Sequence, residues 1–373
     1  MAQKKINLID YSPFEEKYKK VLITGGLGFI GSALIFRLLK KTTAKIFNID
    51  KSVQKDNLLS FNNQFSNYGK SRYQFFNNDL KDNQCLEIIF KESRPDIVFH
   101  LAAESHVDRS IESPRNFLES NVIGTFNILE NSLIHFNNLP KNKKSNFKFL
   151  HISTDEVFGS LGEKEQFSEK TPYSPRSPYS STKAASDHLV NAWFHTYEIP
   201  ITLTNCSNNY GPWQFPEKLI PLVILKALSG EKIPLYGDGK NVRDWLYIED
   251  HLSAIIKTVI KSKPGENYCV GGLNEKTNRE VVESICNLLD EIHPLNNKSY
   301  ASLIELVDDR PGHDYRYSIN PKKIQTDLGW SPKYNFNEGL LKTVKWYLKH
   351  INWCKQIQTK SSYKGERLGM RIN

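Results

Sequence analysis

The stretch Lys20-Val-Leu-Ile-Thr-Gly-Gly-Leu-Gly-Phe-Ile-Gly31 decides how this 373-residue chain is read. Residues 20–23 form a short apolar run ending in Thr24-Gly25-Gly26, and apolar side chains recur at helical spacing over 30–39, which predicts strand, glycine turn and helix. The turn satisfies Gly-x-Gly-x-x-Gly at Gly26, Gly28 and Gly31, and Gly-x-x-Gly-x-x-Gly at Gly25, Gly28 and Gly31. A glycine triplet by itself signals only a tight turn. Set between a strand and a helix, it lets the backbone approach a pyrophosphate whose charge sits at the helix N-terminus.

Working outward, a second apolar run over 44–49 ends at Asp50, about twenty residues past the turn. A carboxylate there accepts from both ribose hydroxyls and repels a 2′-phosphate, which favours NAD over NADP, although Lys51 beside it pulls the other way. Further strands are expected at 73–76, 97–101, 147–152 and 201–205, with helical patterns between most of them. That alternation predicts an α/β fold, a doubly wound parallel sheet of Rossmann type. Asp79-Leu80 follows the third strand and suits either an adenine contact or a helix N-cap. Residues 57–72 and 137–146 read as surface connections.

After about Gly211 the pattern loosens: Pro212, Pro216, Pro221 and Pro234 interrupt short apolar runs, and Gly237-Asp238-Gly239 is a turn. The expected organisation is an N-terminal extension (1–19), a dinucleotide-binding domain carrying the catalytic residues (20–210), a smaller, mainly substrate-binding lobe (211–350) and a basic tail (351–373). The formal charge of +9 does not require a nucleic-acid partner, because residues 341–373 hold eight Lys/Arg against the single acid Glu366. No run approaches the roughly 20 apolar residues of a membrane span, and residues 1–20 lack a signal-peptide core, so a cytoplasmic protein is expected. Cys85, Cys206, Cys269, Cys286 and Cys354 have neither Cys-x-x-Cys pairing nor zinc-ligand spacing; free thiols and no metal are the expectation.

Tyr179 and Lys183 stand four apart, so a helix would put them on one side, where an ammonium would lower the phenol's pKa. Alone, such a pair is common on solvated helix faces. Ser153-Thr154-Asp155-Glu156 follows the strand expected to end near Ile152, at the sheet edge where open α/β proteins bind ligands. An isolated Thr-Asp-Glu would more often cap a turn and expose its glutamate. Together with the glycine turn, the two clusters describe a site for proton and hydride transfer.

With these residues in view, the chain resembles the dTDP-glucose 4,6-dehydratases of the extended short-chain dehydrogenase/reductase superfamily. The likeness runs from about Lys20 to His350 through His100-Leu-Ala-Ala-Glu-Ser-His-Val-Asp-Arg-Ser110, Ser153-Thr-Asp-Glu-Val-Phe-Gly159, Ser177-Pro-Tyr-Ser-Ser-Thr-Lys183, Asn205-Cys-Ser-Asn-Asn-Tyr-Gly-Pro212, Pro216-Glu-Lys-Leu-Ile-Pro221, Arg243-Asp-Trp-Leu-Tyr247 and Asp309-Arg-Pro-Gly-His-Asp314. It implies that Tyr179 takes the proton of the glucose 4-hydroxyl while NAD⁺ accepts hydride from C4, with Thr154 bonded to the same oxygen. Glu156 would then remove the C5 proton, a protonated Asp155 would donate to the departing C6 hydroxyl, and hydride would return to C6. The product would be a 4-keto-6-deoxy sugar for rhamnose-type deoxysugar biosynthesis. Close carboxylates resist double ionisation, but the sequence does not say which of the two keeps the proton.

The resemblance further implies cofactor contacts from Gly25, Gly28, Phe29, Ile30, Gly31, Asp50, Lys51, Ser52, Asp79, Leu80, Leu101, Ala102, Ala103, Ser105, Ser120, Tyr179, Lys183 and Asn209. Substrate contacts would come from Ser105, Thr154, Asn208, Lys218, Leu219, Pro234, Leu235, Tyr236, Arg243, Asn278, Asp309, Arg310 and His313. Arg243 and Lys218 can meet a diphosphate, although Arg243 beside Asp244 could instead form a structural ion pair. Two departures stand out: Gln54-Lys55-Asp56-Asn57-Leu58 replaces the family's Tyr-Ala-Gly-Asn-Leu, and Phe158 stands where many relatives have tyrosine. A homodimer is implied, built on helices including 114–130 and 184–193. The alternatives are UDP-glucose as substrate, a nucleotide-sugar 4-epimerase, which would have no need of the acid pair, and a non-catalytic NAD-binding protein.

Overall fold

The strand-turn-helix reading at the N-terminus is realised in a computed structural model that describes residues 9–51, 64, 68–69, 71–295 and 298–360. Its strands, in chain order, are β1 (Lys20–Thr24), β2 (Lys45–Asp50), β3 (Tyr73–Asn77), β4 (Ile97–His100), β5 (Lys148–Thr154), β6 (Ile201–Cys206), β7 (Asn208–Tyr210), β8 (Ile233–Tyr236), β9 (Val242–Tyr247), β10 (Asn267–Val270), β11 (Glu275–Thr277) and β12 (Ile304–Val307). Seven form one parallel sheet in the order β10-β6-β5-β4-β1-β2-β3. Every residue of β4, β5 and β6 is buried, as expected when helices cover both faces of a parallel sheet and the strands read as continuous apolar runs. The order reverses between β1 and β4, and at such a switch point a crevice opens beyond the carboxyl ends of the strands.

The remaining strands pair as β11-β9-β7 and β12-β8, on the side of the sheet's carboxyl edge. The chain after Gly211 does more than lie against the sheet. It returns to it, because β10 pairs with β6 and becomes the edge strand. Lys148 ties the same region together: its buried ammonium donates to the carbonyls of Val259 and Ser262 at 3.1 and 2.8 Å, at the C-terminus of the helix Ile248–Lys261, where a cation is favoured.

Two segments read from sequence as appendages are built into the core. The helix Ser12–Lys17 buries Phe14 completely, with its ring 6.5 Å from that of Phe99 on β4. The amides of Lys19 and Lys20 both donate to Asp96 at 2.9 Å, fixing the entry into β1. At the other end, the helix Ile351–Lys360 buries Cys354 and Ile357 and packs Trp353 against Trp213 and Trp346, with ring centroids 5.1 and 5.4 Å away. Its apolar face outweighs its basic composition. All five cysteines are free thiols, four of them buried.

One helical run carries an irregularity close to the crevice. The segment Pro114–Phe117 passes through a widened π turn, Leu118–Ile123, before the helix Gly124–Asn137. Phe117 and Asn121 point into the protein, while Leu118, Ile123 and Phe126 are left exposed. Among the described residues no helix is long and apolar enough to cross a membrane.

Candidate active site

A cavity of about 1050 Å³ lies beyond the carboxyl ends of β1 and β4. Its floor is bare backbone. Gly25 has φ +74°, and a Cβ there would meet Ala102 Cα at 2.7 Å; one on Gly31 would meet the Gly25 carbonyl oxygen at 2.2 Å. Thr24 Oγ1 lies 2.7 Å from His100 Nδ1 and accepts from the Ala102 amide at 3.2 Å, which fixes Leu101 to Ala103 beside the turn. The helix Phe29–Lys41 starts here with neither a side-chain cap nor an acidic residue in its first turn, so its free N–H groups and positive end remain available to an anion.

Asp50 closes the far side of the turn, one carboxylate oxygen accepting from the Leu27 amide at 2.7 Å, and burial pushes the carboxyl up to about 6. Lys51 turns away to Glu104, at 2.9 Å. The following helix, Asn83–Ser93, is capped by Asp82, which leaves Asp79 to line the cavity beside Leu80. Ser120 and Asn209 line it too, the latter with its amide oxygen buried and unpartnered among the described residues. A glycine cradle, a free helix N-terminus, a carboxylate at the ribose position and unpartnered polar atoms are the donor and acceptor set that a dinucleotide requires.

β5 ends in the chemistry. Thr154 Oγ1 accepts from the Glu156 amide at 3.3 Å and so caps the turn Asp155–Phe158, yet Glu156 is not turned out to solvent: it lines the cavity with Thr154 and Asp155. Asp155 is 1% exposed, and its Oδ2 has no hydrogen-bond partner among the described residues. Burial, then the charges of Glu156 and Asp244, hold the Asp155 carboxyl well above the usual carboxylate range. Burial also raises Glu156, but Arg310, Arg243 and Lys218 draw it back. Burial thus biases both carboxyls toward the protonated form, and three nearby cations oppose it at Glu156 against Arg243 alone at Asp155.

Across the cavity the helix Pro178–Tyr197 begins with a Ser177/Ser180 capping box and Pro178 in its first turn. Tyr179 and Lys183 lie one turn apart, both buried and both in the cavity wall. The expected lowering of the phenol's pKa by Lys183 is not what this geometry gives. Burial and the charge of Glu156 push Tyr179 well above its ordinary value, with the Thr154 hydroxyl opposing them, while the Lys183 ammonium donates to the Ile152 carbonyl at 2.9 Å. Phe158 packs between Phe167 and Tyr173, both at 5.2 Å, in a buried apolar site where the missing hydroxyl leaves no gap in hydrogen bonding.

The residues expected to bind substrate divide into two sets. Ser105, Asn208 and Lys218 line the cavity, and the Lys218 ammonium donates to the Ser105 carbonyl at 2.9 Å. Arg243 and Arg310 stand behind them. Arg243 is not paired with its neighbour Asp244: it donates to the carbonyls of Val242 and Asp314 at 2.7 and 2.9 Å and lies over the Tyr317 ring, while Arg310 is held by Asp108 at 2.6 Å. Leu219, Pro234, Leu235, Tyr236, Asn278, Asp309 and His313 lie outside this cavity. Leu235 is 1% exposed, its side chain committed to the core, and Asp309 lines a separate hollow of about 610 Å³ with Gly237 and Leu306 to Asp308. Ser52 and the 54–58 segment fall outside the described residues.

Sequence reasoning missed the ion pair Arg109–Glu217, at 2.7 Å, and the indoles of Trp213 and Trp353, all in the cavity wall. Trp346 and Trp353 stand seven apart in the sequence but on two helices, Phe336–Lys349 and Ile351–Lys360, so helical spacing gave no signal for them.

A family model described as GDP-mannose 4,6 dehydratase matches residues 22–343. A probable dTDP-glucose 4,6-dehydratase of Sinorhizobium fredii is 50% identical over 351 residues, covering 94% of this chain and 99% of that one. The crystal structure of dTDP-glucose 4,6-dehydratase from Bacillus anthracis in complex with NAD superposes with a TM-score of 0.78 at 42% identity, covering 90% of this chain and 99% of that one. The Streptomyces venezuelae enzyme DesIV, a dTDP-glucose 4,6-dehydratase with NAD and TYD bound, gives 0.80 at 36% identity, with 90% and 99% covered.

Proposed function

The chain belongs to the dTDP-glucose 4,6-dehydratase family, and from that premise we infer that it converts dTDP-glucose to dTDP-4-keto-6-deoxyglucose with NAD as its cofactor. The observation that carries the reading is the placement of the acid pair: Asp155 and Glu156, with cations drawing Glu156 toward ionisation, share the wall of one cavity with Tyr179.

The cradle of Gly25, Gly28 and Gly31 with Asp50 holds the dinucleotide, and Lys183, Ser120 and Asn209 bound its far end. When bound there, NAD would supply a hydride acceptor for C4 and, once reduced, a hydride donor for C6. Tyr179 removes the proton from the 4-hydroxyl, and Thr154 holds the same oxygen by a hydrogen bond. The phenolate is the form that takes this proton, and burial, by raising the pKa of Tyr179, makes it a strong base but a minor form. Once C4 is a ketone the C5 hydrogen is acidic, and Glu156, the ionised carboxylate, takes it. Asp155 gives its proton to the C6 oxygen, which leaves as water, and Glu156 returns a proton to C5 as hydride is delivered to C6. Lys218, Arg243 and Arg310 carry the positive charge that faces the diphosphate.

Purified protein given dTDP-glucose should form a product that absorbs in alkali, the signature of a 4-keto-6-deoxy sugar. Formation of dTDP-galactose without that product would instead identify a 4-epimerase. Comparing kcat/KM for dTDP-glucose and UDP-glucose measures how far the site reads the nucleotide.

The same reading makes the chain a cytoplasmic homodimer. Leu118, Ile123, Phe126 and Ile134 on one helical run, and Tyr197 at the end of the Tyr179 helix, are exposed, and Trp193 meets Phe126 edge-on at 5.7 Å. These side chains supply the apolar face that a pair of copies would bury. Light scattering on Phe126→Asp should report a monomer where the parent chain is dimeric.

A further inference from the structure

Asp187 is wholly buried on the helix Pro178–Tyr197, one turn beyond Lys183 and two beyond Tyr179, and no step above uses it. Four groups converge on its carboxylate. His151 Nε2 lies 3.0 Å from Oδ1, while Oδ2 accepts from Ser153 Oγ at 2.7 Å, the Tyr173 hydroxyl at 2.9 Å and Asn205 Nδ2 at 3.3 Å. His151 and Ser153 belong to β5 and Asn205 to β6, while Tyr173 precedes the helix. Asn205 Nδ2 also donates to the Thr154 carbonyl at 3.1 Å, which carries the network to the residue before the acid pair.

We propose that Asp187 is a positioning residue for the dehydratase reaction: it locks the end of β5, with Thr154, Asp155 and Glu156, to the helix that carries Tyr179 and Lys183, and it supplies the negative charge beneath Lys183. This role rests on the catalytic assignment of Tyr179 and Lys183 above. An isolated buried carboxylate would be costly, and four convergent donors are what make it stable there. Burial lowers Lys183, whereas Asp187 raises it. The other groups facing Lys183 are Tyr179 on its own helix, His100 on β4, His151 on β5 and Cys206 on β6. Burial keeps both imidazoles neutral, with His151 lowered to about 4, and pushes the Cys206 thiol up to about 12, so Asp187 is the one carboxylate in the set.

Asp187→Asn removes the charge and turns an amide NH₂ toward hydrogen-bond donors. With dTDP-glucose as substrate and NAD saturating, kcat should fall about tenfold or more while KM changes less than about threefold. The alkaline limb of the kcat profile, where Lys183 loses its proton, should move to lower pH, because the lysine has lost its counter-charge. A limb at the parent's pH overturns the proposal, whatever happens to kcat. If Asp187→Asn yields no folded protein by thermal melting, Tyr173→Phe decides: kcat reduced about threefold with unchanged KM supports the proposal, and parental kcat overturns it. Tyr179→Phe serves as control. Parental turnover in that variant would sink the catalytic assignment itself, whereas an inactive Tyr179→Phe beside an unshifted Asp187→Asn limb sinks only the positioning role.

Discussion

Around Gly25 to Gly31 the cavity wall is backbone, held by close approach and needing no side-chain rearrangement to meet a ligand. Around Arg243 and Arg310 the charged groups are long side chains, each already held by its own chain: Arg310 by Asp108, Arg243 by two carbonyls, and Lys218 by Ser105. The first region is preorganised, and the anion it takes meets free N–H groups. In the second, affinity is what remains after attraction to the bound anion is set against the internal hydrogen bonds it displaces. Backbone can therefore carry cofactor affinity with little dependence on neighbours, while the substrate side is tuned by residues that touch no substrate.

The chemistry at the meeting of the two regions is the place to break this comparison hardest. Glu156→Gln keeps the shape but cannot accept a proton, so turnover should fall roughly 10²- to 10⁴-fold. Solvent deuterium should no longer enter C5; unchanged turnover would remove Glu156 from its role. Next in size is Gly31→Ala, where the added methyl meets the Gly25 carbonyl at 2.2 Å. Overpacking of this kind costs about 1–3 kcal/mol, and NAD affinity measured by fluorescence titration should drop about tenfold or more. Affinity equal to the parent's would mean that the cradle yields and is not preorganised. A smaller effect is expected on the opposite side, where Arg310→Met should raise the substrate's KM about fivefold and leave NAD affinity unchanged. If NAD affinity fell in parallel, the two regions would not be separable.

The smallest effect concerns stability. The folded-state pKa of Asp155 is raised, so the native protein binds a proton that the unfolded chain releases above pH 3.8. That costs the native state progressively more as pH rises from there toward the folded value. Asp155→Asn cannot ionise and escapes the cost. Although inactive, it should melt roughly 1–4 °C above the parent at neutral pH, with the gap closing near pH 4. A lower melting point at neutral pH would argue that Asp155 is ionised in the native state.

What was legible in the sequence was whatever short-range geometry determines. β1, its turn and the next helix follow from local apolar spacing and glycines, and the strand expected at 147–152 overlaps β5, which starts one residue later and runs on to Thr154. Tyr179 and Lys183 share a helix, and the acid pair ends a strand, so four-residue and two-residue periods sufficed. What was not legible depends on contacts between distant residues. Nothing near Phe14 says that its ring will reach Phe99, and nothing near Asn267 says that β10 will join β6. The shifts of the acid pair belong to this group too, since they follow first from burial and then, at Glu156, from the opposing charges of Arg310 and Arg243, far along the chain. Lys183 shows the limit of a spacing argument: it gave the right face, but the Ile152 carbonyl decides where the ammonium points.

The π turn at Leu118–Ile123 places one more residue in a turn than an α-helix would. On its inner side Asn121 donates to the Glu104 carbonyl and to Thr182 Oγ1, on the helix of Tyr179, at 3.1 and 3.0 Å. Deleting a single residue there would restore the ordinary pitch and rotate the inner positions away from both partners. The length of this stretch is therefore set by the partners of its inner side.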